Sequence, residues 1–111
     1  MSEDVIKIFA SKFAYKPDSW IERSIKRFRL GVERVSKYKF RVRGMKNERC
    51  SRYTVVFMGH DENGLPKFFC PCQLRRKKYG KAERYCTHIG AVILYILSKV
   101  KEDPSLEVMI P

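Results

Sequence analysis

Apolar positions recur every three or four residues at the start of the chain. Val5, Ile8, Phe9 and Phe13 form a stripe that predicts a helix from Ser2 to about Tyr15. Ser2 is placed to cap it, and Glu3 and Asp4 put acids at the positive end of the helix dipole. Lys16-Pro17 ends the run, because a residue before proline avoids the helical region. Ile21, Ile25 and Phe28 then share one face of a second short helix, with Asp18 or Ser19 as its cap and Gly31 as its stop. For residues 19–30 a strand is the alternative. The period next changes to two. Tyr38, Phe40 and Val42 alternate with Lys37, Lys39, Arg41 and Arg43, so residues 32–43 read as one strand with an apolar and a cationic face.

Gly44 to Cys50 is a polar turn, and residues 52–58 read as a second, more apolar strand. The cluster His60-Asp61-Glu62-Asn63-Gly64 predicts a turn, and residues 67–70 a third strand. From about His88 to Val100, Ile89, Val92, Ile93, Ile96, Leu97 and Val100 supply the core stripe of a last helix, with Thr87 as its cap. Pro104 stops that helix, and the tail to Pro111 is expected to be loose or extended. These elements predict an α+β fold. A small antiparallel sheet of two to three strands packs on the C-terminal helix, and N-terminal helices cover the remaining apolar surface.

Candidate chemistry sits where the third strand ends and the last helix begins. Cys70 and Cys72 read C-P-C, and Cys86 and His88 read C-T-H after a basic insertion. Residues i and i+2 of extended backbone point to the same side, so each pair can grip one ion. Three sulfurs and an imidazole are the donor set of a closed structural zinc site. Catalytic zinc keeps an open position, so this set argues against a metallohydrolase. The imidazole should donate its second N–H to a carbonyl or carboxylate. A disulfide scaffold is a poor alternative, because Cys70 and Cys72 are too close in sequence to pair easily.

The Cys-x-Cys…Cys-x-His spacing resembles the SWIM zinc finger. RVRG at 41–44 followed by RYTVVF at 52–57 looks like that family's strand pair, and HIGAVILYIL at 88–97 like its apolar helix. The resemblance divides the chain into a helical segment (1–29), a SWIM-like domain (30–101) and a tail (102–111). It implies either DNA binding or protein–protein contacts, including partnership with recombinase paralogs in DNA repair and recombination.

Charge favours the first of these. The 111 residues carry 24 Lys and Arg against 12 Asp and Glu. Three thiolates (−3) and a divalent ion (+2) would change the balance by only one unit. Residues 23–52 hold twelve Lys and Arg and two acids, Glu33 and Glu48. Lys37, Lys39, Arg41 and Arg43 form one candidate phosphate-binding strip. Arg75, Arg76, Lys77, Lys78, Lys81 and Arg84 form another, in the insertion that zinc would pin at both ends. The expectation is a zinc-stabilised nucleic-acid-binding module that prefers DNA and acts through phosphate contacts.

The alternative is an adaptor whose Phe9, Phe13 and Trp20 meet a protein partner. Tyr79 could stack on bases or pack; Tyr85 is expected to pack beside the metal. Trp20 is expected in the core before partner contact. Cys50 is expected as a packed residue or a lone thiol, and His60 as exposed. No Gly-rich phosphate loop, nucleophile elbow or His-Glu zinc motif occurs, so no enzyme activity and no small-molecule substrate are expected. The acidic start, MSEDV, lacks a signal-peptide core, and no stretch is long enough to cross a membrane. A cytoplasmic, reducing environment is the corresponding expectation.

Overall fold

Period-two alternation builds a four-stranded antiparallel sheet of order β1-β2-β3-β4: β1 (Val32–Ser36), β2 (Lys39–Arg43), β3 (Arg52–His60) and β4 (Pro66–Phe69). The structure, a computed structural model, describes residues 2–46, 48, 51–72 and 85–111. The α+β class is as the sequence indicates, with one strand beyond the expected two to three. Residues 32–43 do not form one strand. They reverse at Lys37-Tyr38 into the β1–β2 hairpin, where Phe57 N–H donates to the Tyr38 carbonyl at 2.8 Å. Val35 lies outside the alternation that suggested a single strand, and a bulge between Arg34 and Ser36 accommodates the reversal.

Phe40 and Val42 of β2, Tyr53 and Val55 of β3 and Phe68 of β4 point to the inner face and are buried. Helix α3 (Thr87–Lys99) lies against that face, with Ile89, Val92, Ile93 and Ile96 fully enclosed. Its residues 88–94 are buried all round, because α1 (Ser2–Lys12) and α2 (Asp18–Leu30) cover its other side. Both N-terminal segments are therefore helices, including 19–30.

Several local features depart from the sequence expectation. Helix α1 stops at Lys12, and a turn from Phe13 leads into Pro17. Ile8 is 48% exposed and lies off the buried stripe. Pro17, not Asp18 or Ser19, is the N-cap of α2, and Asp18 instead places its charge in the first turn. Gly31 ends α2 as expected, at φ 131°, a conformation that suits glycine. The tail is neither loose nor extended. Pro104–Met109 forms a 3₁₀ helix that buries Leu106 and Met109, and Arg34 reaches Asp103 at 2.8 Å. Leu106 and Met109 lie three apart, one 3₁₀ turn, and so share a face.

Phe9, Phe13 and Trp20 form one aromatic cluster inside the protein, with Phe9 and Trp20 stacked at 5.6 Å. They are 0%, 1% and 2% exposed, so they cannot be the partner-facing surface expected of an adaptor. No helix among the described residues is long and apolar enough to cross a membrane.

Helices α2 and α3 approach closely at Gly90. A Cβ there would lie 2.8 Å from Ser24 Cβ and 3.1 Å from the Trp20 ring. Gly90→Ala is expected to destabilise by about 1–3 kcal/mol through overpacking. That outweighs the gain of about 1 kcal/mol in helix propensity. Urea unfolding checks this; an unchanged or higher midpoint contradicts the close approach of α2 and α3.

Candidate metal centre

Strand β4 delivers the first ligand pair and α3 the second. Cys70 follows the last strand residue, Phe69, and Pro71 turns the chain so that Cys72 doubles back. Cys70 Sγ and Cys72 Sγ lie 3.3 Å apart, well beyond the roughly 2.05 Å of a disulfide. Cys86 is the N-cap of α3 in extended conformation, and His88 lies in the helix's first turn. Cys86 Sγ and His88 Nδ1 are 3.8 Å apart. All four donor atoms lie within 4.8 Å of one another. Ligands about 2.3 Å from a tetrahedral centre stand roughly 3.8 Å apart, so the cluster matches the size of such a site.

The segment before Cys86 is clamped from two directions. Tyr85 donates its hydroxyl to the Pro66 carbonyl at 2.7 Å, tying it to the start of β4. Trp20 Nε1 donates to the Tyr85 carbonyl at 2.9 Å, tying it to α2. Tyr85 therefore packs beside the site as expected.

The partner of the second imidazole nitrogen is Glu48. His88 Nε2 lies 3.2 Å from Glu48 Oε2, which leaves Nδ1 facing the sulfurs. This carboxylate–histidine arrangement fixes the ring's tautomer and raises its basicity toward a metal. Glu48 is itself held. Arg27 Nη1 donates to Glu48 Oε1, Arg27 Nη2 to Glu48 Oε2 at 3.2 Å, and Met45 N–H to Glu48 Oε1 at 2.8 Å. Arg27 Nε donates to Thr87 Oγ1 at 2.7 Å. Thr87 is thus the first residue of α3 and an acceptor for α2, not the cap expected from sequence. The Tyr53 ring covers the imidazole with centroids 3.9 Å apart.

Burial pushes the Glu48 carboxyl up. The Arg27 hydrogen bonds, the Met45 N–H and the charges of Arg27 and His88 outweigh it and hold the group at about 2. Because the folded value lies below the ordinary 4.5, this stabilisation is present above 4.5 and is lost as pH falls toward 2. Hydrogen bonds from Cys70 and Cys72 hold the Cys86 thiol far below its ordinary range, and the helix N-terminus favours a thiolate there. Hydrogen bonding to Cys72 and Cys86, together with burial, drives the Cys70 thiol far up. A bound divalent ion would displace the thiol protons and hold the sulfurs as thiolates.

The remaining sequence-predicted residues divide. Lys39, Arg41 and Arg43 project from the outer face of β2, whereas Lys37 lies in the hairpin turn, its Nζ 5.4 Å from the centre of the Tyr38 ring. Arg75, Arg76, Lys77, Lys78, Lys81 and Arg84 lie outside the described residues, as do Tyr79 and Cys50. His60 is exposed as expected and its Nε2 lies 2.9 Å from the Val108 carbonyl. Sequence reasoning missed Glu48, Arg27 and Tyr53. One signal was available for Glu48: it is one of only two acids in the basic run 23–52, and both are ion-paired, Glu33 with Arg41 at 3.9 Å.

The donor set and its supporting carboxylate define a cluster able to hold a metal ion in a closed structural role. Comparison with protein-family models, curated proteins and solved structures gave no match. Glu48→Gln is expected to lower the melting temperature, because Arg27 loses its counter-charge, and to weaken metal affinity about 10- to 100-fold, read by competition against a chromophoric chelator. Unchanged affinity would remove Glu48 from the site.

Proposed function

We propose that this protein is a zinc-stabilised nucleic-acid-binding module of the SWIM type, with DNA preferred and no enzymatic activity. Three thiolates and one imidazole are a donor set that suits zinc. When bound, the ion would supply folding free energy and no reaction step. The chain's own residues would form the binding surface.

The observation that carries this reading is the charge of the sheet's outer face. Lys39, Arg41 and Arg43 of β2, Arg52 of β3 and Lys67 of β4 point there, against the single acid Glu33. Arg43 and Arg52 are paired directly across β2 and β3. Like charges directly opposite each other destabilise a sheet. Lys39, Arg43 and Arg52 have no acidic partner among the described residues. Unneutralised cations concentrated on one face suit a polyanion. The adaptor alternative, with a recombinase paralog as partner, has less support because its proposed aromatic contacts are interior.

Affinity for DNA should fall linearly with salt on logarithmic axes, by about 0.9 per phosphate contact on duplex and about 0.7 on single strands. Replacing Arg43 and Arg52 together with Gln should make that slope shallower by about one to two contacts' worth, without lowering the melting temperature. A flat salt titration of the unaltered protein would contradict the proposal.

A further inference from the structure

We infer that the open outer face of the sheet is a platform for single-stranded nucleic acid, with phosphate held at an arginine cleft and bases laid on Val56 and Phe69. The inference rests on the nucleic-acid reading above and specifies its ligand.

The phosphate end is defined by geometry. Where α2 hands over to β1, a shallow cleft of about 240 Å³ is lined by Arg41, Arg43 and Arg52, with Glu33 at its side. Arg41 is partly engaged by Glu33 at 3.9 Å. Arg43 and Arg52 stand side by side, and their repulsion is met by no acid within salt-bridge distance among the described residues. A phosphate between two guanidinium groups would relieve it and accept paired hydrogen bonds from each.

Beyond the cleft the face carries apolar side chains among its cations, which a phosphate-only ligand would not use. The register places Lys39, Val56 and Phe69 in one row across β2, β3 and β4. This row lies four residues along β2 from Arg43, about 13 Å at strand rise. Phe69 is 37% exposed and Met58, on the same side of β3, is 58% exposed. An exposed ring flanked by cations offers a stacking surface to an unpaired base, and stacking tolerates any sequence. Duplex DNA buries its base faces and would present only phosphates and groove edges to the sheet. A second copy of this chain is a poor occupant, since it would bring the same cations face to face.

The test uses the zinc-loaded full chain and fluorescence anisotropy with an oligothymidylate and a duplex of equal length, at one salt concentration. The single strand is expected to bind more tightly. Phe69→Ala should weaken single-strand binding about 5- to 150-fold and leave duplex binding nearly unchanged. Phe69→Trp should restore it, and the added indole fluorescence should be quenched by the oligothymidylate and not by the duplex. This second variant decides the matter if the alanine variant fails to fold. Equal affinity for both probes, or Phe69→Ala with metal content intact and single-strand affinity unchanged, overturns the inference. So does Phe69→Trp without quenching. Duplex binding with a steep salt slope in any of those cases leaves the nucleic-acid reading standing. Binding of neither probe overturns both.

Discussion

Two chain segments meet at four donor atoms, three sulfurs and an imidazole nitrogen, close enough to hold one metal ion. β4 runs out into Cys70 and Cys72, Cys86 and His88 flank the first residue of α3, and the four ligand atoms converge within 4.8 Å. Three thiols packed together gain little from one another without a cation, because neutral thiols are weak donors and neighbouring thiolates repel. A divalent ion would turn this crowding into attraction. It would join sheet to helix at one point in a chain with limited apolar area to bury.

Around that joint the polar interior is almost fully connected. Glu48 receives His88, Arg27 and the Met45 N–H, and Arg27 continues to Thr87. One carboxylate thus orients a ligand and anchors a guanidinium that is 8% exposed. Breaking such a network by removing a single partner leaves a buried charge uncompensated, so its members depend on one another. The network also links α2 to the start of α3, which the aromatic cluster of Phe9, Phe13 and Trp20 does independently from the other side. With the inner face of the sheet spent on the core, the unpaired cations are left to the outer face.

Much of this was legible in the chain. The ligand pairs were visible because a one-residue gap has a direct geometric meaning in extended backbone. The last helix was visible because its apolar positions repeat over several turns. The β1–β2 hairpin was not, since Lys37 and Tyr38 continue the alternation of β2 through the turn and hide the reversal. Glu48 was hidden for another reason: forty residues separate it from His88, and only tertiary folding brings them together. The 3₁₀ helix at Pro104–Met109 is too short for periodicity to distinguish it from a loose tail.

Whether a metal ion joins sheet to helix is measured by elemental analysis of the purified protein, joined to circular dichroism before and after chelation. One zinc ion per chain is expected, with cooperative loss of structure when the ion is removed. A chain that lacks stoichiometric metal yet keeps its fold, or one that melts unchanged after chelation, would contradict it.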